Sequence, residues 1–290
     1  MRSREISSDR MRGGGWQQSL HVEWEAWNAA LTNISLRMRR VATILRALAL
    51  RELMTRFGRD NLGFVWLVFE PLLLTVLVLI WWSMAFGSTK QGVAIVPLAL
   101  SGYSLLTLWR HINLRFIYCF RHNAPLMFHR SVKPMYTILA RFFLETTGAL
   151  LSFFTAYTFL FAFYQIGPIH DVFLFLSGWY LLAFFSFSVA LCVSALCELW
   201  EPTEKLYNPL MYITLPLTGL FFMVSWLPTD YHALALLSPS VNCFEMARGG
   251  LIGPYVQVYY HVDYVIYVSV FLSAFGFLLM RKAQAHIKIE

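Results

Sequence analysis

Charged residues are scarce in this chain of 290 residues. Asp, Glu, Lys and Arg make up 13% of it, about half the share that a soluble domain usually carries. The charges crowd into the first part of the chain and a few short loops, with long neutral runs between them. With 58% hydrophobic residues and a mean hydropathy of +0.56, this distribution predicts an all-α, polytopic integral membrane protein.

Motifs for nucleotide, hydrolytic or metal chemistry are lacking too. No Gly-Lys dipeptide occurs, which excludes a P-loop, and GxSxG, HExxH and Asp-x-Asp are absent as well. The cysteines have neither CxxC nor zinc-ligand spacing, and no pair of histidines suits a haem inside the membrane. We therefore expect no metal, no cofactor and no catalysis on this chain.

Several apolar runs are long enough to cross a bilayer. A helix needs about 20 apolar residues to span roughly 30 Å of hydrocarbon. The predicted spans, about six in all, are 64–86, 94–114, 136–164, 173–197, 206–227 and 262–280. All but two of the lysines and arginines, Lys90 and Arg248, fall in segments on one face of this arrangement. The positive-inside rule then places both termini and the 115–135 loop in the cytoplasm.

Apolar side chains recur every three or four residues ahead of the first span. They are Trp24, Trp27, Leu31, Ile34, Met38, Val41, Leu45 and Leu48, and nearby arginines lie off this stripe. A basic amphipathic helix with tryptophans on its apolar face is typical of a membrane surface; a helix docked on a partner or under the bundle is the alternative. We predict a disordered basic tail at 1–20, an interfacial helix at 21–60 and a transmembrane domain at 61–285.

The stretch LRELMTRFGRDNLGFVWLVFEPLLL, Leu50 to Leu74, leads into the first span. Its arginines can hold the cytoplasmic end among lipid headgroups, and its glycines let the chain turn into the membrane. The residues concerned are Arg51, Arg56, Gly58, Arg59 and Gly63. Glu70, which precedes the helix-breaking Pro71, either faces a channel as a gating carboxylate or pairs with an arginine and fixes helix packing.

The cytoplasmic connection CFRHNAPLMFHRSVKP, Cys119 to Pro134, carries a short apolar patch among basic residues. A surface helix with such a face suits docking into a partner's groove, and the alternative is a loop whose charges only mark the cytoplasmic side. The candidate docking residues are Pro125, Leu126, Met127, Phe128, His129 and Arg130. Farther along, Arg141 and Glu145 are four residues apart and predicted to pair.

The segment 228–260 is too apolar for an ordinary loop, and prolines and glycines break it too often for a span. We predict a pair of short, half-inserted helices on the outer side, with Glu245 and Arg248 paired on one of them.

Aromatic residues of spans one and five form interfacial belts or line a path for glycan, because rings bind the faces of sugars. The candidate lining residues are Trp66, Trp81, Trp82, Phe86, Tyr212, Phe221, Phe222 and Trp226.

The Leu50–Leu74 stretch resembles the entry to the first span in inner-membrane permeases of ABC-type polysaccharide exporters, most of all their capsular polysaccharide branch. SVKPMYTILARFFLE, Ser131 to Glu145, resembles the family's passage from coupling helix into span three. SPSVNCFEMARGGLIG, Ser238 to Gly253, is similar to its outer re-entrant segment. The match keeps its order over residues 45–285, whereas residues 1–40 depart from the family's shorter start.

The resemblance implies a homodimer in the bacterial inner membrane, with spans one and five lining a channel for lipid-linked capsular polysaccharide. A separate cytoplasmic ABC ATPase, which binds ATP and Mg, would receive the coupling helix near 120–130. A periplasmic polysaccharide co-polymerase and an outer-membrane exporter are the further partners implied. The net charge of +7 calls for no nucleic acid, because topology already explains the arginines.

Other functions remain open at this point. Permeases for O-antigen or teichoic acid share much of the pattern. An ABC permease for a drug or small lipid is a further alternative. A membrane-embedded glycosyltransferase or polymer ligase would need acids near the outer face, for which Asp171, Asp230 and Asp263 are the candidates.

Overall fold

The computed structural model describes residues 14–57, 63–117, 134–163 and 165–287. Its helices are α1 (Gly14–Phe57), α2 (Gly63–Phe86), α3 (Ile95–Phe116), α4 (Pro134–Ala162), α5 (Val172–Leu199), α6 (Pro202–Ile213), α7 (His232–Leu236), α8 (Pro239–Ile252) and α9 (Val262–Ile287). An antiparallel hairpin of β1 (Thr89–Lys90) and β2 (Val93–Ala94) joins α2 to α3. The prediction of an all-α membrane protein is confirmed.

The chain divides into two compact units, residues 1–48 and 49–290. In the first unit, α1 already begins at Gly14, inside the segment predicted to be a tail. The residues that follow, Trp-Gln-Gln-Ser-Leu at 16–20, contain no proline and are compatible with helix. Trp27 and Met38 of the apolar stripe are both about two-thirds exposed. The interfacial role of this helix stays a prediction.

Four helices in the described part of the chain are long and apolar enough to cross a membrane. They are Val68–Phe86, Met135–Ala162, Val172–Leu199 and Val262–Ala283, which confirms the first, third, fourth and sixth predicted spans. The second predicted span coincides with α3. That helix is mostly buried, and polar residues such as Arg110, Asn113 and Arg115 near its end make it less apolar than the other four.

The fifth predicted span, 206–227, is not one continuous helix, and this part of the prediction is wrong. The helix α6 ends at Ile213, and a 3₁₀ turn at Leu215–Thr218 follows it. Gly219 then adopts a left-handed φ of +87°, and a second 3₁₀ turn forms at Val224–Trp226. The 12 residues of α6 cover only about 18 Å at 1.5 Å per residue, too short for the hydrocarbon core.

The segment 228–260 folds into α7, α8 and flanking 3₁₀ turns, as predicted for a pair of short helices. Asn242 of α8 ties this segment together. Its side-chain amide donates to the backbone oxygens of Leu236 (2.8 Å) and Ser238 (2.9 Å), and it accepts from the backbone N–H of His261 (2.8 Å). Buried backbone groups of the turns are thereby satisfied. The depth of these helices in a membrane stays a prediction.

The helix α5 is the centre of the second unit and packs against α3, α8 and α9. Glycines let α8 approach α5 closely, as small residues do between membrane helices. A Cβ atom on Gly178 of α5 would lie 2.6 Å from the backbone nitrogen of Ala247. The helices α4 and α5 are largely buried in this bundle, whereas α2 and α9 expose most of their apolar length.

We expect Gly178→Ala to destabilise the protein, because the added methyl group meets backbone rather than a side chain that could move. Overpacking of this kind costs about 1–3 kcal/mol, which thermal unfolding in detergent would measure. Gly167→Ala is the matched control, since a Cβ there meets nothing within 4 Å. Equal unfolding temperatures for the two variants would contradict the close α5–α8 contact.

Candidate functional site

The charged residues near the C-terminal end of α3 gather with those of neighbouring helices into one cluster. We call it the Arg115 cluster, and its members are Glu52 of α1, Glu70 of α2, His111 and Arg115 of α3, and Arg141 and Glu145 of α4. All six residues belong to the second unit.

Arg115 bridges two carboxylates from different helices. Its Nε lies 3.4 Å from Oε1 of Glu145, and its Nη2 lies 3.6 Å from Oε2 of Glu70. The Glu145 side chain is 1% exposed, and Nδ1 of His111 lies 3.5 Å from its second oxygen. A carboxylate this deeply buried requires a positive partner, because unpaired it would cost several kcal/mol. Arg115 therefore holds α2, α3 and α4 together at this end.

Arg141 extends the cluster to the C-terminal part of α1. Its Nη2 lies 2.9 Å and 3.0 Å from the two carboxylate oxygens of Glu52. Its Nη1 donates to the backbone oxygen of Arg115 at 2.6 Å. Arg141 and Glu145, predicted to pair with each other, both have partners on other helices, because the folded bundle brings distant charged residues beside them. Their mutual pairing stays a prediction.

Glu70 contacts an arginine, as one of its two predicted roles requires. Its contact with Arg115 agrees with the interpretation as an ion pair that fixes helix packing, although the side chain is still 37% exposed. Pro71 does not interrupt α2, and its carbonyl accepts a hydrogen bond from the Thr75 hydroxyl at 2.7 Å. A gating role for Glu70 stays a prediction.

At the opposite end of α2, aromatic rings surround a lysine. We call this group the aromatic box; it consists of Trp82, Phe86, Phe221 and Trp226 around Lys90. The Lys90 Nζ lies 5.4 Å from the ring centre of Trp82, 4.6 Å from that of Phe86 and 5.3 Å from that of Trp226. The ring of Phe221 stacks on Trp82 at 6.4 Å. The rings face the cation at distances at which cation–π attraction acts.

Burial against these rings lowers the pKa of Lys90, and the positive charge of Arg248 lowers it further. Sequence reasoning used Lys90 only as a marker of topology and missed it as a site residue. The signal available was that Lys90 is one of only two basic residues on its predicted face.

The other candidate lining residues do not join this group. Trp81 is 63% and Tyr212 62% exposed, and Trp66 lies at the far end of α2, where it contacts Phe69. Neighbours on a helix point about 100° apart, so Trp81 faces outward where Trp82 faces the bundle. The predicted set of eight is therefore not one surface within this chain. Beside the exposed face of α2, an apolar groove of about 770 Å³ runs between α2, α3 and α4.

Two charged residues of α8 hold the irregular segment that follows α6. Arg248 is fully buried and donates to the backbone oxygens of Gly219 (2.8 Å), Leu220 (2.9 Å) and Phe222 (2.8 Å). The carboxylate of Glu245 accepts from the backbone N–H groups of Val224 and Tyr259. Glu245 and Arg248, predicted to pair, thus each bind backbone groups, because the unwound chain leaves those groups without helical partners.

Part of the predicted site lies outside the described residues. This applies to the whole coupling set, Pro125, Leu126, Met127, Phe128, His129 and Arg130, and to Gly58 and Arg59 of the entry motif. The side chain of Arg56 is likewise not described. Arg51 is half-buried on α1, and Gly63 is the first residue of α2.

No model of a protein family matches the chain, but curated relatives do. A capsule polysaccharide export inner-membrane protein of Neisseria meningitidis serogroup B, CtrC, is 35% identical over 239 residues, 82% of this chain and 90% of the relative. This chain belongs to the family of capsule polysaccharide export inner-membrane proteins. BexB of Haemophilus influenzae, with the same description, is 31% identical over 238 residues. The polysialic acid transport protein KpsM of Escherichia coli is 26% identical over 245 residues, which are 82% of this chain and 92% of the relative.

Membership in the capsule export family confirms the resemblance seen in the sequence. The three acids considered for an enzyme lie on separate elements of the structure. Asp171 caps α5, its carboxylate accepting from the backbone N–H of Leu174 at 2.9 Å. Asp230 and Asp263 are exposed in the first turns of separate helices. No group of three or more His, Cys, Asp or Glu side chains suited to a metal occurs in the part of the chain that the structure describes.

Proposed function

We propose that this chain is the membrane-spanning subunit of an ATP-driven exporter that moves lipid-linked capsular polysaccharide across the bacterial inner membrane. The similarity to three capsule or polysialic acid transport proteins over 82% of the chain carries the proposal. Four long apolar helices are in keeping with a multi-pass membrane protein. The chain performs no bond chemistry in this account and opens and closes a path.

The energy comes from a separate cytoplasmic ATPase, because the sequence has no P-loop of its own. The distribution of lysines and arginines supports cytoplasmic termini and a cytoplasmic 115–135 loop. In that topology the segment 125–130 enters a groove of the ATPase. Two copies of the chain form the channel, and a periplasmic co-polymerase and outer-membrane exporter continue the route.

The Arg115 cluster is suited to carry a movement from the ATPase to the channel. The helix α4 begins at Pro134, directly after the proposed coupling segment. Its early residues Arg141 and Glu145 contact Glu52 and Arg115, and Arg115 contacts Glu70 on α2. A displacement of α4 would thus strain ion pairs that α2 shares. Buried ion pairs are lost at high cost, which favours two discrete arrangements over a continuous deformation.

Deleting the gene for this chain in a capsulated bacterium should leave completed polysaccharide inside the cytoplasm. The polymerising enzymes remain, but the polymer is too large and polar to cross the bilayer unaided. Fractionation followed by immunoblotting of the polymer measures its location, with the reintroduced wild-type chain as the control. Polymer that still reaches the surface would indicate a permease for small lipids or drugs, and absence of all polymer would indicate an enzyme of synthesis.

The Glu70→Gln variant should lower export without lowering the amount of protein in the membrane. The substitution keeps the shape of the side chain and removes the charge that faces Arg115 at 3.6 Å. A partly exposed ion pair contributes about 0.5–1 kcal/mol, so we expect export to fall about 2- to 5-fold. Surface polysaccharide per copy of the protein in the membrane is the quantity to measure.

Glu201→Gln is the matched control for this experiment. Glu201 is an exposed carboxylate before α6, so the same chemical change should leave export unaltered. Wild-type export from Glu70→Gln would restrict Glu70 to helix packing and remove it from the proposed path of movement.

A further inference from the structure

The irregular segment Gly219–Phe222 has an unusual set of backbone partners. Four successive carbonyl oxygens each accept a hydrogen bond from a cationic side chain. Arg248 donates to the backbone oxygens of Gly219, Leu220 and Phe222. The Lys90 Nζ donates to the backbone oxygen of Phe221 at 3.2 Å. The chain has left the helix at Gly219, so these oxygens have no helical donors. The two cations therefore determine where this segment lies.

The two cations differ in burial and in the number of hydrogen bonds that they make to the segment. Arg248 is fully buried and makes three hydrogen bonds of 2.8–2.9 Å. Lys90 lies on a surface hairpin, and its single hydrogen bond is exposed and longer. Removing Arg248 would leave two buried carbonyls and one partly buried carbonyl without donors, whereas water can replace Lys90. Of the two, Lys90 is the contact that can open while the protein stays folded.

Lys90 links two parts of the second unit that are far apart in sequence. Its ammonium lies over the rings of Trp82 and Phe86 of α2 and over the ring of Trp226. Among the described residues, no carboxylate lies within ion-pair distance of Lys90. The rings and the Phe221 carbonyl are therefore the groups that fix its position. Lys90 joins the end of α2 to residues 219–226, beside the direct stacking of Phe221 on Trp82.

We propose that Lys90 is a releasable latch that holds residues 219–226 against the end of α2 and keeps this end of the protein closed. This proposal depends on the proposed export function, because passage of a polymer would require the segment to move away from α2. Lys90 is a positioning residue in this account: it acts through the segment that it holds. Arg248 and Glu245 keep their hydrogen bonds to the segment when the latch opens, so that the segment moves away from α2 with its shape preserved.

The latch can be tested without transport, by measuring how often the segment opens. Leu220 is 5% exposed, and a cysteine at this position, in a chain whose native cysteines are replaced by alanine, should react slowly with a maleimide. The full-length protein in lipid nanodiscs is accessible from both faces, so the result does not depend on topology. In the chain with the single cysteine at position 220, Lys90→Met should raise the labelling rate about 2- to 5-fold. This is the change expected when about 0.5–1 kcal/mol of cation–π attraction is lost.

Two further variants separate a latch from a general loosening. Lys90→Arg keeps a cation that stacks on aromatic rings and can donate to the carbonyl, so its labelling rate should stay near that of the parent. Lys205→Met removes a lysine from exposed α6 surface and should also change nothing. An unchanged rate in Lys90→Met, or an equal rise in either control, would overturn the proposal. Because the assay measures opening alone, the latch and the export function can fail independently.

Discussion

The burial of the Glu145 carboxylate is the constraint on which the rest of this structure depends. A charge that is almost fully removed from water needs a fixed positive partner, and Arg115 of α3 supplies it at 3.4 Å. The same guanidinium reaches Glu70 of α2, and Arg141 of α4 binds both Glu52 and the Arg115 carbonyl. The end of α1, together with α2, α3 and α4, thereby converges on one charged cluster.

The helix α2 is held at both ends and largely exposed between them. The Arg115 cluster binds its first turns through Glu70, and the aromatic box binds its last turns through Trp82 and Phe86. Along its middle, α2 presents apolar side chains such as Leu77 and Ile80 outward. Under the proposed function, release of either end would let α2 tilt relative to α3 and α4, which is the kind of movement that opening a path beside it requires.

Sequence patterns predicted the long helices well, because runs of about 20 apolar residues specify spans almost by composition alone. The starts of α4, α5 and α9 fall within about two residues of the predicted spans. The prediction of the fifth span was wrong because it gave the high hydropathy of the segment more weight than its helix breakers. These breakers, Pro216 and Gly219, are both visible in the sequence. The partner of Glu70 could not be predicted, since Arg115 lies 45 positions away and only folding brings them together. The aromatic box and the carbonyls held by Arg248 depend on such long-range contacts as well.

A double-mutant cycle on Arg115 and Glu145 tests the central claim most directly. The free energy of unfolding in detergent would be measured for Arg115→Met, for Glu145→Gln and for the two combined. Each single change already removes the contact between the two side chains, so the second change costs less than it would alone. We therefore expect the combined loss to be smaller than the sum of the single losses by about 1–3 kcal/mol. Losses that add to within about 0.5 kcal/mol would contradict the account, because the two side chains would then act independently.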